Sequence, residues 1–404
     1  MAIDVNVNAP KRKTGAQLER VELREAIYLT TEIPSGYKAY PVGQWPDPLF
    51  LAGWEKKIPN APVTRANVDV FKKTKRRTFW LVMKAPRNGE PGIYRGSIEL
   101  RLHGEPAAEF SVEVQVDAFS LSKRAHLRCC TGMVGWKGLR SNMAIMGIPK
   151  EEIDAFIKEK HDMDRYRELI LEYGWSPTMW SGLKVWQKYY DYGRGMSVFT
   201  GGRGTPQDMA WLKERGLLEY SFIYAPFDEH PDARVPEVVE WCRKWKAKSE
   251  IPILDCYYGR NVEPLFGLVD IWLGQNPRQE WAQERKKKGD RFFGVNASLV
   301  WYIEFEPVNG RTLFWKDFIS GVDGRYVYST CRWTADVYRK NWTSGNYMGC
   351  AVYPSPFGIA TSIRFETLRF GIEYYDYLAI LRYAFNKIKN AGPAAVTEEA
   401  QATI

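Results

Sequence analysis

The sequence predicts an α/β protein in which a (β/α)₈ barrel of TIM type follows a small antiparallel β-sandwich. Three observations carry this. Apolar residues recur with period two through roughly the first 120 residues, the mark of half-buried strands. After Leu121 the period becomes helical. From there short apolar runs alternate with helical stretches over about 250 residues, without the glycine-rich turn that a doubly wound nucleotide fold carries after its first strand. The expected division is residues 1–122 for the sandwich, 123–392 for the barrel with its C-terminal helix, and 393–404 for a tail. A chain of 404 residues is also too long for one ordinary core.

The elements follow in order. Ile98, Leu100 and Leu102 alternate with polar neighbours, as do Phe110, Val112, Val114 and Val116 with Ser111, Glu113, Gln115 and Asp117. TFWLVMKAP from Thr78 adds a strand, and Gly92 to Gly96 a connection. Ile153, Phe156, Ile157, Met163, Leu169 and Ile170 then recur at helical spacing, followed by the short apolar run SPTMW. A helix is expected over Pro206 to Leu217, a strand over Tyr220 to Phe227, and a helix over Pro236 to Lys248 that buries Val238, Val239, Cys242 and Trp245. IPILDCYY from Ile251 is a continuous apolar strand of the kind covered on both faces. DIWLG from Asp270, a helix around Trp281, a strand ASLVWYI from Ala297, a helix around Phe314 and RYVYSTCRW from Arg325 complete the alternation.

Composition excludes several classes. Hydrophobic residues are 45% and charged residues 26%, with 33 Gly and 23 Pro spread along the chain, which describes a globular protein. No stretch approaches the ~20 apolar residues of a membrane span. The formal charge of +9 is dispersed: Lys11 to Lys13 lies in a tail-like segment and Lys286 to Lys288 at a helix end, so no nucleic-acid groove is expected. Six Cys lack CxxC spacing and the four His do not pair at metal-ligand spacing, so no metal and no cofactor are expected. MAIDVNVNAPKRK carries no apolar signal core, which fits either an intracellular protein or an exported one whose signal does not stand in this sequence.

Reactive groups of such a barrel gather where its strands end, and one strand ends in carboxylates. YSFIYAPFDEHPDA runs into Asp228 and Glu229, side by side. Two neighbouring negative charges resist joint ionisation, so one tends to keep a proton while the other stays charged. Glycoside cleavage uses that division, an acid for the leaving oxygen and an anion for the developing positive charge. Adjacent residues cannot straddle a sugar, because ~5 Å or more separates an ordinary catalytic pair. A vicinal pair suits instead a reaction in which the substrate's 2-acetamido oxygen attacks the anomeric carbon. The plain alternative is a loop Asp-Glu that caps the next helix.

The runs FIYAPFDEHPD, ASLVWYIEFEP and above all SIRFETLRFGIEYYDYLAILR resemble glycoside hydrolase family 123 and its relatives. GQWPDPLF from Gly43 and PGIYRGSIEL from Pro91 are similar to that group's amino-terminal sandwich, so the resemblance covers about residue 40 to residue 385. It implies a β-N-acetylgalactosaminidase working by substrate assistance, with Asp228 orienting the acetamido group and Glu229 as general acid and base. Phe370 and Tyr374 stand where the group usually has Asp.

The 16 Trp and 23 Tyr invite sugar stacking. Candidates are the aromatics closing barrel strands: Tyr257, Tyr258, Trp272, Trp301, Tyr302 and Trp333, with Tyr302 first because WYI matches the family segment. Asp270 is a candidate for a sugar hydroxyl, and Arg364 and Glu366 for an internal salt bridge. Two other readings stay open. In one, Glu229 is the acid of a retaining two-carboxylate glycosidase and Glu304 or Glu306 its nucleophile. In the other, the chain binds carbohydrate without turning it over.

Overall fold

The computed structural model describes residues 3–35, 40–58, 61–132, 138–158, 161–178, 182–296, 302–341 and 345–391. The chain packs as two units, Met1–Tyr28 with Pro46–Leu121, and Leu29–Trp45 with Ser122–Ile404.

The first unit is built from antiparallel strands. β1 (Ile3–Lys11), β2 (Arg20–Thr31), β3 (Gly43–Leu51), β4 (Phe79–Lys84), β5 (Gly92–Leu102) and β6 (Glu105–Val116) form two three-stranded sheets, ordered β1-β5-β6 and β3-β2-β4. Along β6 the predicted alternation holds: Val112, Val114 and Val116 are half-buried while Ser111, Glu113 and Gln115 are exposed. Phe110 departs from it, being 54% exposed. Helix α1 (Pro62–Thr74) was not expected. It starts on a proline at its first turn, which costs no hydrogen bond there, and ends on Lys75 in the left-handed region. Buried among these elements, Glu25 accepts from Arg77 Nε at 2.7 Å and from Asn67 at 2.9 Å, so the carboxylate is not left unpaired.

The second unit holds an eight-stranded parallel sheet. Its strands are β7 (Arg128–Thr131), β8 (Ser176–Pro177), β9 (Phe199–Thr200), β10 (Ser221–Tyr224), β11 (Ile253–Cys256), β12 (Ile271–Leu273), β13 (Arg291–Val295) and β14 (Gly324–Val327). Each pairs in parallel with the next from β9 to β14, β14 pairs with β7, and β7 with β8. Among the described residues no backbone ladder joins β8 to β9. Hydroxyls span that gap: Ser176 Oγ accepts from the amides of Ser197 and Val198 at 3.0 and 3.1 Å, and Thr200 donates to the Thr178 carbonyl at 3.0 Å. The sheet is therefore nearly closed into a barrel.

Helices connect the strands: α2 (Leu139–Ile145), α3 (Lys150–Lys158) and α4 (His161–Glu172) after β7, then α5 (Leu183–Tyr189), α6 (Pro206–Glu214), α7 (Val235–Lys248), α8 (Glu280–Lys287) and α9 (Val308–Ser320). Between β11 and β12 a 3₁₀ turn, Glu263–Leu265, takes the helix's place. A hairpin, β15 (Tyr353–Ser355) with β16 (Gly358–Ala360), precedes the long helix α10 (Ile363–Ala391). Thr205 caps α6 reciprocally with Asp208, satisfying amides at its first turn. The seventh strand lies at Arg291–Val295, before the expected ASLVWYI run, of which Ala297 to Trp301 falls outside the described residues.

Strand parity sorts the side chains into two layers. Cys130, Phe222, Leu254, Cys256, Ile271, Leu273 and Phe293 fill the barrel interior. Their alternates Ile253, Tyr257, Trp272 and Phe292 face the helices, among Val238, Cys242 and Trp245 of α7.

Candidate active site

β10 delivers the carboxylate pair. Phe222 and Tyr224 point inward with the interior layer, and the Ala225 amide still bonds to Leu254 of β11 before the chain leaves the sheet. Asp228 and Glu229 follow, both exposed, at the carboxyl ends of the parallel strands. Asp228 Oδ1 accepts the Tyr224 hydroxyl at 2.6 Å, so its carboxylate is oriented by a residue of the strand itself. Glu229 has φ 48°, a left-handed conformation that a residue with a Cβ adopts at a cost of ~1–2 kcal/mol.

Around the pair stand groups that hold their protons. Burial keeps the Tyr224 hydroxyl well above the usual phenol range, and the nearby Cys256 and Asp228 reinforce this. Burial does the same for Tyr258 and Tyr326, each of which also feels the charge of Asp228. The Cys256 thiol, hydrogen-bonded with Tyr224 and Tyr258, is pushed up to about 11, chiefly by burial. All three phenols are therefore neutral donors across the physiological range, suited to bind an oxygen or a carboxylate and unsuited to act as bases. Tyr258 is half exposed and lies over Gly274, where a Cβ would come within 2.6 Å of its ring.

The other predicted residues are placed as follows. Tyr257 lies behind the mouth, fully buried, its ring stacked on His230 and its hydroxyl bonded to Asp232. Trp272 is fully buried in the strand–helix layer, its indole N–H donating to Asp290 at 2.8 Å. Trp333 donates to the Val352 carbonyl at 2.7 Å and is likewise core. Strand parity explains the first two, since their neighbours Cys256, Ile271 and Leu273 take the inward positions. Asp270 opens β12 at the opposite end of the barrel, where it binds Lys246 at 2.7 Å and the Ile253 amide at 2.8 Å. Tyr302 is half-buried after β13 against Phe305, with Gly345 beneath its ring. Trp301 lies outside the described residues.

Glu304 is buried, with Oε1 accepting from the Ser35 amide at 2.8 Å and from Asn346 at 2.9 Å, while Glu306 is exposed. Arg364 donates to main-chain carbonyls of Tyr347 and Cys350 and to Tyr353, and Glu366 accepts from Tyr173 and from Arg369 at 3.2 Å. At Phe370 and Tyr374 guanidinium groups lie over the aromatic rings, Arg369 over Phe370 and Arg311 over Tyr374. Tyr224, Cys256 and Tyr326 escaped the sequence reading. The signal is in the strand pattern, since each sits at an inward-facing position among the last two residues of a strand.

A cavity of about 700 Å³ opens at the other face of the barrel, lined by Arg124, Arg128, Tyr190 and Tyr220 among others. Its cations have partners: Lys123 and Arg124 bind Asp191, and Arg128 lies over Tyr220 near Glu219. Volume alone does not make it the site, because it lies away from the strands' carboxyl ends. Among the described residues no three His, Cys, Asp or Glu side chains group to hold a metal ion, and no helix is long and apolar enough to cross a membrane.

The architecture aligns with a family 123 glycoside hydrolase from Clostridium perfringens, whose structure was analysed for the details of glycolipid glycan hydrolysis, at a TM-score of 0.64 over 96% of this chain and 81% of that one. The two share a fold. Identity is 13%, so the likeness speaks for architecture. A β-glucuronidase from Ruminococcus gnavus (12% identity, TM-score 0.28, 68% of this chain and 56% of that one) and a glycosyl hydrolase family 2 member from Bacteroides cellulosilyticus (9%, 0.26, 76% and 41%) overlap it too loosely to define a common fold. No protein-family model and no curated protein matches the sequence.

Proposed function

We propose that the protein is a retaining glycoside hydrolase that releases β-linked N-acetylgalactosamine, with the substrate's own acetamido oxygen as nucleophile. The observation that carries this reading is the exposed vicinal pair at the barrel mouth, Asp228 held by the Tyr224 hydroxyl and Glu229 beside it. Asp228 accepts the acetamide N–H and stabilises the positive charge as the carbonyl oxygen bonds to the anomeric carbon. Glu229 gives its proton to the departing glycosidic oxygen, and the C–O bond breaks to leave a cyclic oxazolinium. Glu229 then takes a proton from water, whose oxygen attacks the anomeric carbon and reopens the ring, so configuration is retained. Tyr258, Tyr302 and Trp301 are the proposed sugar contacts, and a carbohydrate is the proposed partner. We read the architecture as a (β/α)₈ barrel of TIM type that follows a β-sandwich along the chain, with catalysis in the barrel.

In the two-carboxylate alternative the nucleophile would be the exposed Glu306, because Glu304 is buried and engaged with Ser35 and Asn346. A panel of nitrophenyl glycosides separates the readings. Turnover is expected on acetamido sugars, the galactosaminide foremost, with nearly complete loss when hydroxyl replaces acetamido, and a thiazoline analogue should inhibit. A 2-fluoro sugar trapped on Glu304 or Glu306 would establish the alternative. Binding of the sugar without turnover would make the chain a carbohydrate-binding protein.

A further inference from the structure

The loop that carries Asp228 and Glu229 is fastened from behind by groups the proposed chemistry does not use. His230 turns away from the mouth into the layer between strands and helices, where its Nε2 lies 3.1 Å from Oδ2 of Asp255 on β11. Both side chains are fully buried. The imidazole stacks on Tyr257 at 4.7 Å and 9°, and Phe227 meets it edge-on at 6.5 Å. The Tyr257 hydroxyl bonds to Asp232 and accepts from the Asn261 amide at 3.0 Å. His230 and Asp232, which follow the exposed pair, are thus held at the end of β11, and Phe227 before it packs on the imidazole.

This anchor is specific rather than merely cohesive. A buried polar pair adds little stability over a well-packed apolar pair, and this one is incompletely satisfied. His230 Nδ1 and Asp255 Oδ1 are buried without a hydrogen-bond partner among the described residues. An ionised Asp255 can only accept, so Nε2 carries the ring hydrogen and the pair is a single directed bond. Burial raises the Asp255 carboxyl above its ordinary range, and the bond from His230 opposes that rise. A directed bond fixes the imidazole angle and with it the backbone of His230. Its neighbour is Glu229, at φ 48°, a conformation that persists in a residue with a Cβ only where the surroundings impose it.

We propose that His230 and Asp255 are positioning residues for the acid–base carboxyl, holding Glu229 in the left-handed conformation that presents it beside Cys256 and Tyr258. The catalytic consequence rests on the glycosidase reading above. The mechanical one does not.

The test uses His230→Phe, which keeps the ring on Tyr257 and deletes the donor, and His230→Gln, which restores an N–H near the place of Nε2. On an N-acetylgalactosaminide with a poor leaving group, His230→Phe is expected to lower kcat by about 30-fold or more with KM changed less than about threefold, because a small misplacement of the acid is enough for such a loss. The loss should be much smaller with nitrophenol leaving, and His230→Gln should recover most of it. Amide hydrogen exchange over residues 227–234 needs no substrate and should accelerate in His230→Phe while β11 and β12 exchange as in the native protein. If His230→Phe does not fold, Asp255→Asn carries the same measurements. Native kcat on poor leaving groups, a loss equal for both leaving-group classes, or unchanged exchange would overturn the proposal. If the native protein hydrolyses nothing on the panel, the functional reading falls, and the exchange measurement alone decides whether the pair holds the loop.

Discussion

Glu229 is the residue at which conformation and chemistry meet, a side chain with a Cβ held at φ 48° on an exposed loop. Glu229→Gln keeps the shape and removes the proton, so turnover on poor leaving groups should fall by ~10²-fold or more and much less on activated aryl groups. Glu229→Gly should also lose activity but gain stability. Relief of ~1–2 kcal/mol of backbone strain exceeds the extra chain entropy of glycine, about 0.5–1 kcal/mol, and urea unfolding should register the difference. Asp228→Asn should impair the ring-forming step without unfolding the protein. Tyr224→Phe removes the 2.6 Å bond that orients Asp228, and should reduce kcat by roughly tenfold while circular dichroism and melting stay near native. Wild-type kcat in Tyr224→Phe would show that the bond orients nothing.

At the scale of elements, period decided what could be read. Val112, Val114 and Val116, and the long apolar run into Cys256, announced their strands because alternation or continuity persisted over enough residues. The two-residue strand Phe199–Thr200 leaves no such signal, whereas Ser176–Pro177 opens the short apolar run SPTMW. Helix α1 hid because its buried positions include Thr64 and Asn67, which weaken the apolar stripe. β13 hid beside a more apolar run that drew the assignment downstream. The carboxylate pair was legible because a charged dipeptide ends an apolar run. Tyr257 and Trp272 were drawn into the pocket by residue type, although counting inward and outward from Cys256 and Leu273 seats both against the helices. Between elements, α9 and β14 are joined by Asp317 and Arg325, whose Nε donates to Oδ2 at 2.7 Å, both nearly buried. Arg325→Met leaves Asp317 as an unpaired buried charge and should cost ~3–5 kcal/mol in urea unfolding. The double replacement Arg325→Met with Asp317→Leu should recover most of that loss, and failure to recover would locate the cost in packing instead.

For the whole molecule the barrel's continuity depends on very few groups at one place. Among the described residues seven of its neighbouring strand pairs share backbone ladders, whereas β8 and β9 are joined through Ser176 and Thr200. Ser176→Ala removes the acceptor of two buried amides, and at about 1–3 kcal/mol for each unsatisfied group it should lower the unfolding midpoint more than a typical surface serine change. A midpoint equal to the native one would mean that the seam is held by packing alone.

That seam makes the barrel a split ring rather than a hoop. A hoop of continuous ladders shares any outward load around its circumference, but a split ring concentrates it where the ends meet. Dilation, by heat or by a bulky guest pressed into the mouth, should therefore begin between β8 and β9. A cross-link engineered between those two strands should then prolong survival at high temperature more than the same cross-link placed between β11 and β12, where a ladder already carries the load.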